Sequence, residues 1–232
     1  MLRKPFLVAS VVCLLAACGK DKNQPAVVIT GEIQIKDEFG QLVTDRSGVQ
    51  VSSPSGKTTT STNGRYELKA TAGNQTLTFE KEYLGTYKWI EYQVRAAEQL
   101  PLITLGKQPV RGVLSVVVKF TNTAVLVQGL MADVTPQGLP PRRHRLFFNA
   151  GPVSPTAYVL STAGETNVSD DQFFDVVTFE QLRAAGLLPG TQIQLRAYAD
   201  NPYANTYPDP AGKMTVYPGL SVSGSNTVSF TY

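Results

Sequence analysis

From Val27 onward, apolar and polar residues alternate. In VVITGEIQIKD, Val27, Ile29, Gly31, Ile33 and Ile35 share one side, and Val28, Thr30, Glu32, Gln34 and Lys36 the other, which is the period of a half-buried strand. EFGQ follows as a turn, Val49 and Val51 of VQV share a face, SPSG turns again, and the β-branched run TTTST suits a strand. Asn63-Gly64 predicts a tight reversal, since both residues tolerate positive φ. Arg65 to Ala70 alternates once more, Ala72-Gly73-Asn74 turns, and Leu77, Phe79, Lys81 and Tyr83 mark one side of the next strand. Short strands with turn signals at this interval predict a β-sandwich.

A break at Gly106 to Pro109 opens a second region. There Leu114, Val116, Val118 and Phe120 alternate with Ser115, Val117 and Lys119, and further strands are predicted at Ala124 to Ala132, His144 to Asn149 and Ala157 to Leu160. Turns such as PQGLPP divide them. One helix is predicted from Thr178 to Gly186: Thr178 caps it, Gln181 completes a capping box, and Gly186 stops it. LLPGTQIQLRAYADN then restores the period of two, with Ile193, Leu195, Ala197 and Ala199 opposing Gln192, Gln194, Arg196 and Tyr198. No repeat relates the two regions.

The N-terminal stretch obeys a different rule. Arg3 and Lys4 precede an apolar run from Pro5 to Ala17, and polar residues resume at Gly19, the outline of a secretory signal peptide. The run is too short to cross a bilayer, which takes roughly 20 apolar residues as helix. Leu15-Ala16-Ala17-Cys18 resembles the bacterial lipobox, in which the cysteine becomes the first mature residue and carries acyl chains. The resemblance implies that 1–17 are removed, that Cys18 is lipidated, and that 18–26 form a polar tether. Gly19, in place of an aspartate beside the cysteine, implies the outer rather than the inner membrane by resemblance to lipoprotein sorting patterns.

Charge fits an anchor made of lipid. Without Arg3 and Lys4 the 21 Lys and Arg become 19 against 18 Asp and Glu, a net charge of +1. That balance argues against nucleic acid as a partner and against a polybasic grip on lipid. Several acyl chains on one residue suffice, at about 0.8 kcal/mol per buried CH₂. Cys13 leaves with the signal, so no disulfide is expected, and the two regions must be held by apolar cores alone.

The first region resembles the carboxypeptidase regulatory-like domain, a transthyretin-like (prealbumin-like) β-sandwich, over about eighty residues from Val27 to Lys107. The resemblance is carried by GEIQIKDEFGQ, GVQV, TSTNGRYEL and GNQTLTFEKEY, with Gly31, Ile33, Asp37, Gly40, Gly48, Val49, Val51, Thr60, Asn63, Gly64, Tyr66, Leu68, Gly73, Leu77, Phe79 and Tyr83 matching. Ser61 departs from the family's acidic residue before the Asn-Gly turn, and the Gly40 to Gly48 spacing is long. The motif is one of packing, and the resemblance implies a structural or binding module. The second region is similar to an Ig-like or fibronectin type III domain through Leu188, Pro189, Gly190, Thr191, Arg196, Ala197 and Asn201, although Ile193 replaces that family's corner tyrosine. The fold class expected is therefore all-β: a signal peptide over 1–17, a tether over 18–26, a prealbumin-like sandwich over 27–107 and an Ig-like sandwich over 109–232.

Candidate chemistry is sparse. His144 is the one histidine of the chain, and a zinc centre or a Ser-His-Asp triad needs partners that PPRRHRLFF does not supply, so a structural role on a surface strand is expected. Arg142, Arg143 and Arg145 read as a solvated turn rather than a site for headgroups or a polyanionic glycan. Asp170, Asp171 and Asp175, and the oxygens of Asp200, Asn201, Asn205 and Asp209, fit no EF-hand spacing and read as turn-solvating groups. No cofactor or metal is expected. In YLGTYKWIEYQV, Tyr87 and Trp89 share the side opposite Leu84, Ile90, Tyr92 and Val94, a candidate binding face for a sugar or an apolar partner, unless a bend at Gly85 breaks the register or Trp89 covers the domain junction.

The function expected is a membrane-anchored lipoprotein acting as a non-enzymatic binding or scaffolding module at the bacterial cell envelope. Its partners would be the membrane, through Cys18, and a glycan or an envelope protein. The alternative is an accessory glycan-binding lipoprotein assisting an outer-membrane nutrient transporter. A carboxylate-only enzyme would need two facing acids about 5–10 Å apart, and no pair is placed to suggest that.

Overall fold

A computed structural model describes residues 26–167, 170–211 and 213–232. Cys18 and the signal peptide lie outside the described residues. The first sandwich has eight strands: β1 (Ala26–Lys36), β2 (Gln50–Ser53), β3 (Gly56–Thr59), β4 (Arg65–Thr71), β5 (Gly73–Lys81), β6 (Gly85–Val94), β7 (Glu98–Gln99) and β8 (Ile103–Gly106). One sheet places β4 antiparallel to β1, with β7 and then β8 parallel to β1 on its other side; the second has the order β3-β2-β5-β6. Pro101 lacks an N–H and separates β7 from β8.

The predicted faces of β1 are those observed. Ile29, Gly31, Ile33 and Ile35 are buried, and they meet Val49, Val51, Leu68, Leu77, Phe79 and Val94 in one core. Burying each large side chain contributes about 1.5–3 kcal/mol. Gly31 is small for a reason: its cross-strand partner Tyr66 lays its ring across the position a Cβ would take. At the Asn63-Gly64 reversal only Gly64 adopts positive φ (79°), and its N–H donates to the Ser61 carbonyl at 2.8 Å.

The second sandwich contains β9 (Val113–Phe120), β10 (Ala124–Met131), β11 (Arg143–Asn149), β12 (Leu160–Glu165), β13 (Gln172–Thr178), α1 (Phe179–Ala184), β14 (Ile193–Asp200), the two-residue strands β15 (Tyr207–Pro208) and β16 (Thr215–Val216), and β17 (Val228–Phe230). A three-stranded sheet β13-β10-β9 packs on a four-stranded sheet β12-β11-β14-β17, and β15 and β16 form a separate hairpin. Every pairing within the two sheets is antiparallel, as in Ig-like sandwiches. The core between them includes Val125, Val127, Leu146, Phe148, Phe173, Val177 and Leu195.

The helix forms as its caps dictate. Thr178 accepts from the Gln181 N–H, and the Gln181 side chain returns a bond to the Thr178 N–H. At the other end Gly186 takes φ +80°, and the Gly186 and Leu187 amides donate to Arg183 and Leu182 carbonyls, a Schellman closure that buries Leu182 and Leu187. Two expectations shift. The strand anticipated at Ala157 to Leu160 instead runs from Leu160 to Glu165, because Ser154 and Ala157 pair with each other in a small turn. Strand β13 had no alternating signature, because Phe174 and Val176 make its outer side apolar while Asp175 puts a carboxylate on its inner one.

The sandwiches meet through a defined junction. Asn201 Nδ2 donates to the Lys36 and Lys107 carbonyls, both at 3.0 Å. Asn205 brackets Thr104, accepting from its N–H at 2.6 Å and donating to its carbonyl at 2.8 Å. Arg142 reaches Glu38 at 2.9 Å and lies over the Phe39 ring, and Tyr87 meets Tyr207 edge-on with centroids 5.8 Å apart.

Candidate functional site

The strand expected to carry an aromatic binding face folds otherwise. Leu77 pairs with Trp89 and Gln75 with Tyr92, so three residues of β5 oppose four of β6, and the extra residue is a bulge in which Glu91 takes φ +53°. Cross-strand partners share a face. Tyr87, Trp89, Tyr92 and Val94 therefore all face the first core, as Phe79, Leu77 and Gln75 do, and Ile90 leaves it. Trp89 stacks edge-on against Tyr92 at 4.9 Å, and Tyr87 packs against Phe79 at 5.8 Å. Both remain half-buried, and Tyr87 also contributes to the domain junction. The separation of Trp89 from Tyr92 onto opposite faces is corrected by the bulge.

His144 is not on a surface strand. It is completely buried, its Nε2 lies 2.5 Å from Asp175 Oδ2 on the facing sheet, and its ring stacks on Phe173 with centroids 3.7 Å apart. Gly164 leaves the space the ring and the carboxylate occupy. Nδ1 is buried without a hydrogen-bond partner. The pair is an internal strut between sheets, and it opens to no groove described below.

The arginines around it are likewise not a solvated turn. Arg142 is nearly enclosed in its pair with Glu38, Arg143 pairs across strands with Glu165, and Arg145 bonds Asp200 at 2.9 Å while its guanidinium lies 3.8 Å above the Tyr217 ring. Burial pushes the Asp200 carboxyl above its ordinary range, and Arg145 draws it partly back. The Asp/Asn stretch is committed as well: Asp200 to Arg145, Asn201 and Asn205 to the junction, and Asp209 Oδ1 to the Lys213 and Met214 amides. Among the described residues no three His, Cys, Asp or Glu side chains converge as a metal site.

Among the described residues, two open surfaces bear on binding. The larger is a groove of about 780 Å³ over β1, β3 and β4, lined by Thr30, Thr58, Thr59, Arg65, Glu67 and Gln99 among others. The smaller is the outer face of β13-β10-β9. There Val117, Gln128 and Phe174 stand in one row and Lys119, Leu126 and Val176 in the next, beside a hollow of about 300 Å³. Phe174 is 63 % exposed and Val176 62 %, while Gln128 and Gln172 join side chains at 3.1 Å. The other sheet shows no such bareness, since Tyr158, Tyr217 and Leu220 cover Phe147 and Tyr198 on its outer side.

No family model matches the chain. A search of curated proteins finds no match either. Among solved structures, a candidate carbohydrate-binding protein from Bacteroides uniformis is similar at 15% identity, covering 90% of this chain and 100% of its own, with a TM-score of 0.36. A DUF3823 family protein from Bacteroides ovatus is similar at 13% identity, with 88% and 98% covered and a TM-score of 0.36. A DUF3823 family protein from Parabacteroides merdae gives 10%, 86%, 98% and 0.32. At these values nothing about ligand or partner passes from them to this chain.

Proposed function

We propose that the chain is an exported lipoprotein, anchored through Cys18 in the outer membrane, whose two sandwiches serve as a non-enzymatic binding module at the cell envelope. A prealbumin-like first domain and a fibronectin type III-like second domain belong to the same reading. The observation that carries the binding part is the bare apolar face of β13-β10-β9, with Phe174 and Val176 in solvent. Val117, Phe174 and Val176 are each more than half exposed and stand in neighbouring cross-strand rows, and a contiguous apolar patch of this kind marks a contact surface.

Two measurements test the reading. A photo-reactive residue at position 174 in intact cells should give a discrete crosslinked product that Val176→Lys abolishes; a smear unaffected by that change would count against a specific partner. Cys18→Ala should move the protein from the membrane to the soluble fraction, and unchanged partitioning would remove the anchor. A second reading, an accessory glycan-binding lipoprotein beside an outer-membrane nutrient transporter, is favoured by the polar groove over β3 and β4.

A further inference from the structure

We propose that the groove over β1, β3 and β4 is a binding site for a neutral oligosaccharide. This rests on the reading of the chain as a non-enzymatic binding module and names the chemistry of one of its surfaces. The groove holds unspent hydrogen-bonding capacity. Thr60 is committed, its hydroxyl donating to the Arg46 carbonyl at 2.6 Å and accepting from the Val49 amide at 3.0 Å, and Glu32 is held by Arg46 at 2.8 Å. By contrast, among the described residues the side chains of Thr58, Thr59, Arg65, Glu67 and Gln99 make no hydrogen bond or ion pair with other protein groups. Thr58 and Thr59 are adjacent on β3 and so lie on its opposite faces; a hydroxyl from this pair, a carboxylate, a guanidinium and an amide thus border one groove with both donors and acceptors free.

Charge and shape narrow the ligand. Glu32 is neutralised by Arg46, and Arg65 stands two residues from Glu67 on the same face of β4, so the groove has no net charge to attract a polyanion. Its volume lies in the range of pockets that hold small ligands, yet the side chains that give it character are polar, which disfavours an apolar guest. A peptide strand is excluded by the frame. To pair with both free edges it would need β3 and β4 about two strand spacings apart, roughly 9–10 Å. The Ser61 amide bonds the Arg65 carbonyl at 2.9 Å at one end, and the Thr71 amide bonds Ser55 Oγ at 2.9 Å at the other, where Gly56 lies against the Lys69 carbonyl. The edges are pinned too close to admit it. A chain of sugar rings presents neutral, closely spaced hydroxyls that both donate and accept, which this lining matches: Glu67 accepts from hydroxyls, Arg65 and Gln99 donate to them, and Thr58 and Thr59 do either.

The test uses the full chain in detergent micelles on an array of neutral glucans, mannans and xylans, with heparin and polygalacturonate as polyanions, followed by titration of a binding oligosaccharide. Saturable binding of a neutral glycan is expected, insensitive to about 0.5 M salt. Glu67→Ala and Thr59→Val, both at exposed positions and checked for folding by circular dichroism, should each weaken it, Glu67→Ala by about tenfold or more. Val222→Ser, at an exposed position of the other domain, should leave it unchanged. Silence across the neutral glycans, preference for the polyanions, or groove variants that bind like the parent would each overturn the proposal. Silence on the array with the position-174 crosslink intact sinks the groove and spares the binding module, whereas release of new reducing ends sinks the module reading itself.

Discussion

Asp175 and His144 show how much one buried pair can determine. They sit 31 residues apart in sequence, on β13 and β11 of facing sheets, so no periodicity along the chain announces their contact. Leu146 and Phe148 enter the core from the same side of β11 as His144, but a histidine between two arginines reads as exposed until the facing strand supplies its acceptor. With Asp175→Ala, both imidazole nitrogens would lie buried without a partner. The expected cost is about 1–3 kcal/mol, measured as a lower urea midpoint. Asp175→Asn keeps an acceptor oxygen and should cost less; equal losses in the two variants would mean that packing against Phe173, not the hydrogen bond, holds the ring.

Elements were read well wherever a strand followed one period from end to end. β1 and β14 did so, and α1 carried its own start and stop signals in Thr178, Gln181 and Gly186. β6 did not. A single extra residue at Glu91 exchanges the faces of everything before it relative to everything after it, and nothing in TYKWIEYQV marks glutamate as the residue that will take a left-handed conformation. The consequence for Trp89 is testable. Trp89→Ala removes a ring packed on Tyr92 and the first core, so it should lower stability by about 2 kcal/mol, less than a fully buried tryptophan because the ring is half-exposed. Unchanged stability would return Trp89 to the role of a free surface ring. The open groove was invisible in sequence for a related reason: Thr58 and Thr59 come from β3 and Glu67 from β4, and only the pinned approach of two unpaired edges brings them together.

At the scale of the whole molecule, one carboxylate of the junction ties stability to pH. Burial raises the Glu38 carboxyl above its ordinary value despite the attraction of Arg142. The folded state therefore holds this proton more tightly than the unfolded chain, and the group's contribution to stability falls as pH rises from its ordinary value through the raised one. Glu38→Gln has no such titration. The difference in melting temperature, variant minus parent, should accordingly move in the variant's favour as pH rises above the ordinary carboxylate range. Movement in the opposite direction would mean that the ion pair outweighs desolvation.

Asn201 and Asn205 grip main-chain atoms of Lys36, Lys107 and Thr104, never their side chains. A latch that reads only peptide groups is blind to which residues decorate the neighbouring module. Away from Glu38, Phe39 and Tyr87, whose side chains also touch the second sandwich, substitutions can therefore accumulate on the first, even around its groove, without re-aiming it, so recognition can diversify while the posture of the pair is inherited intact.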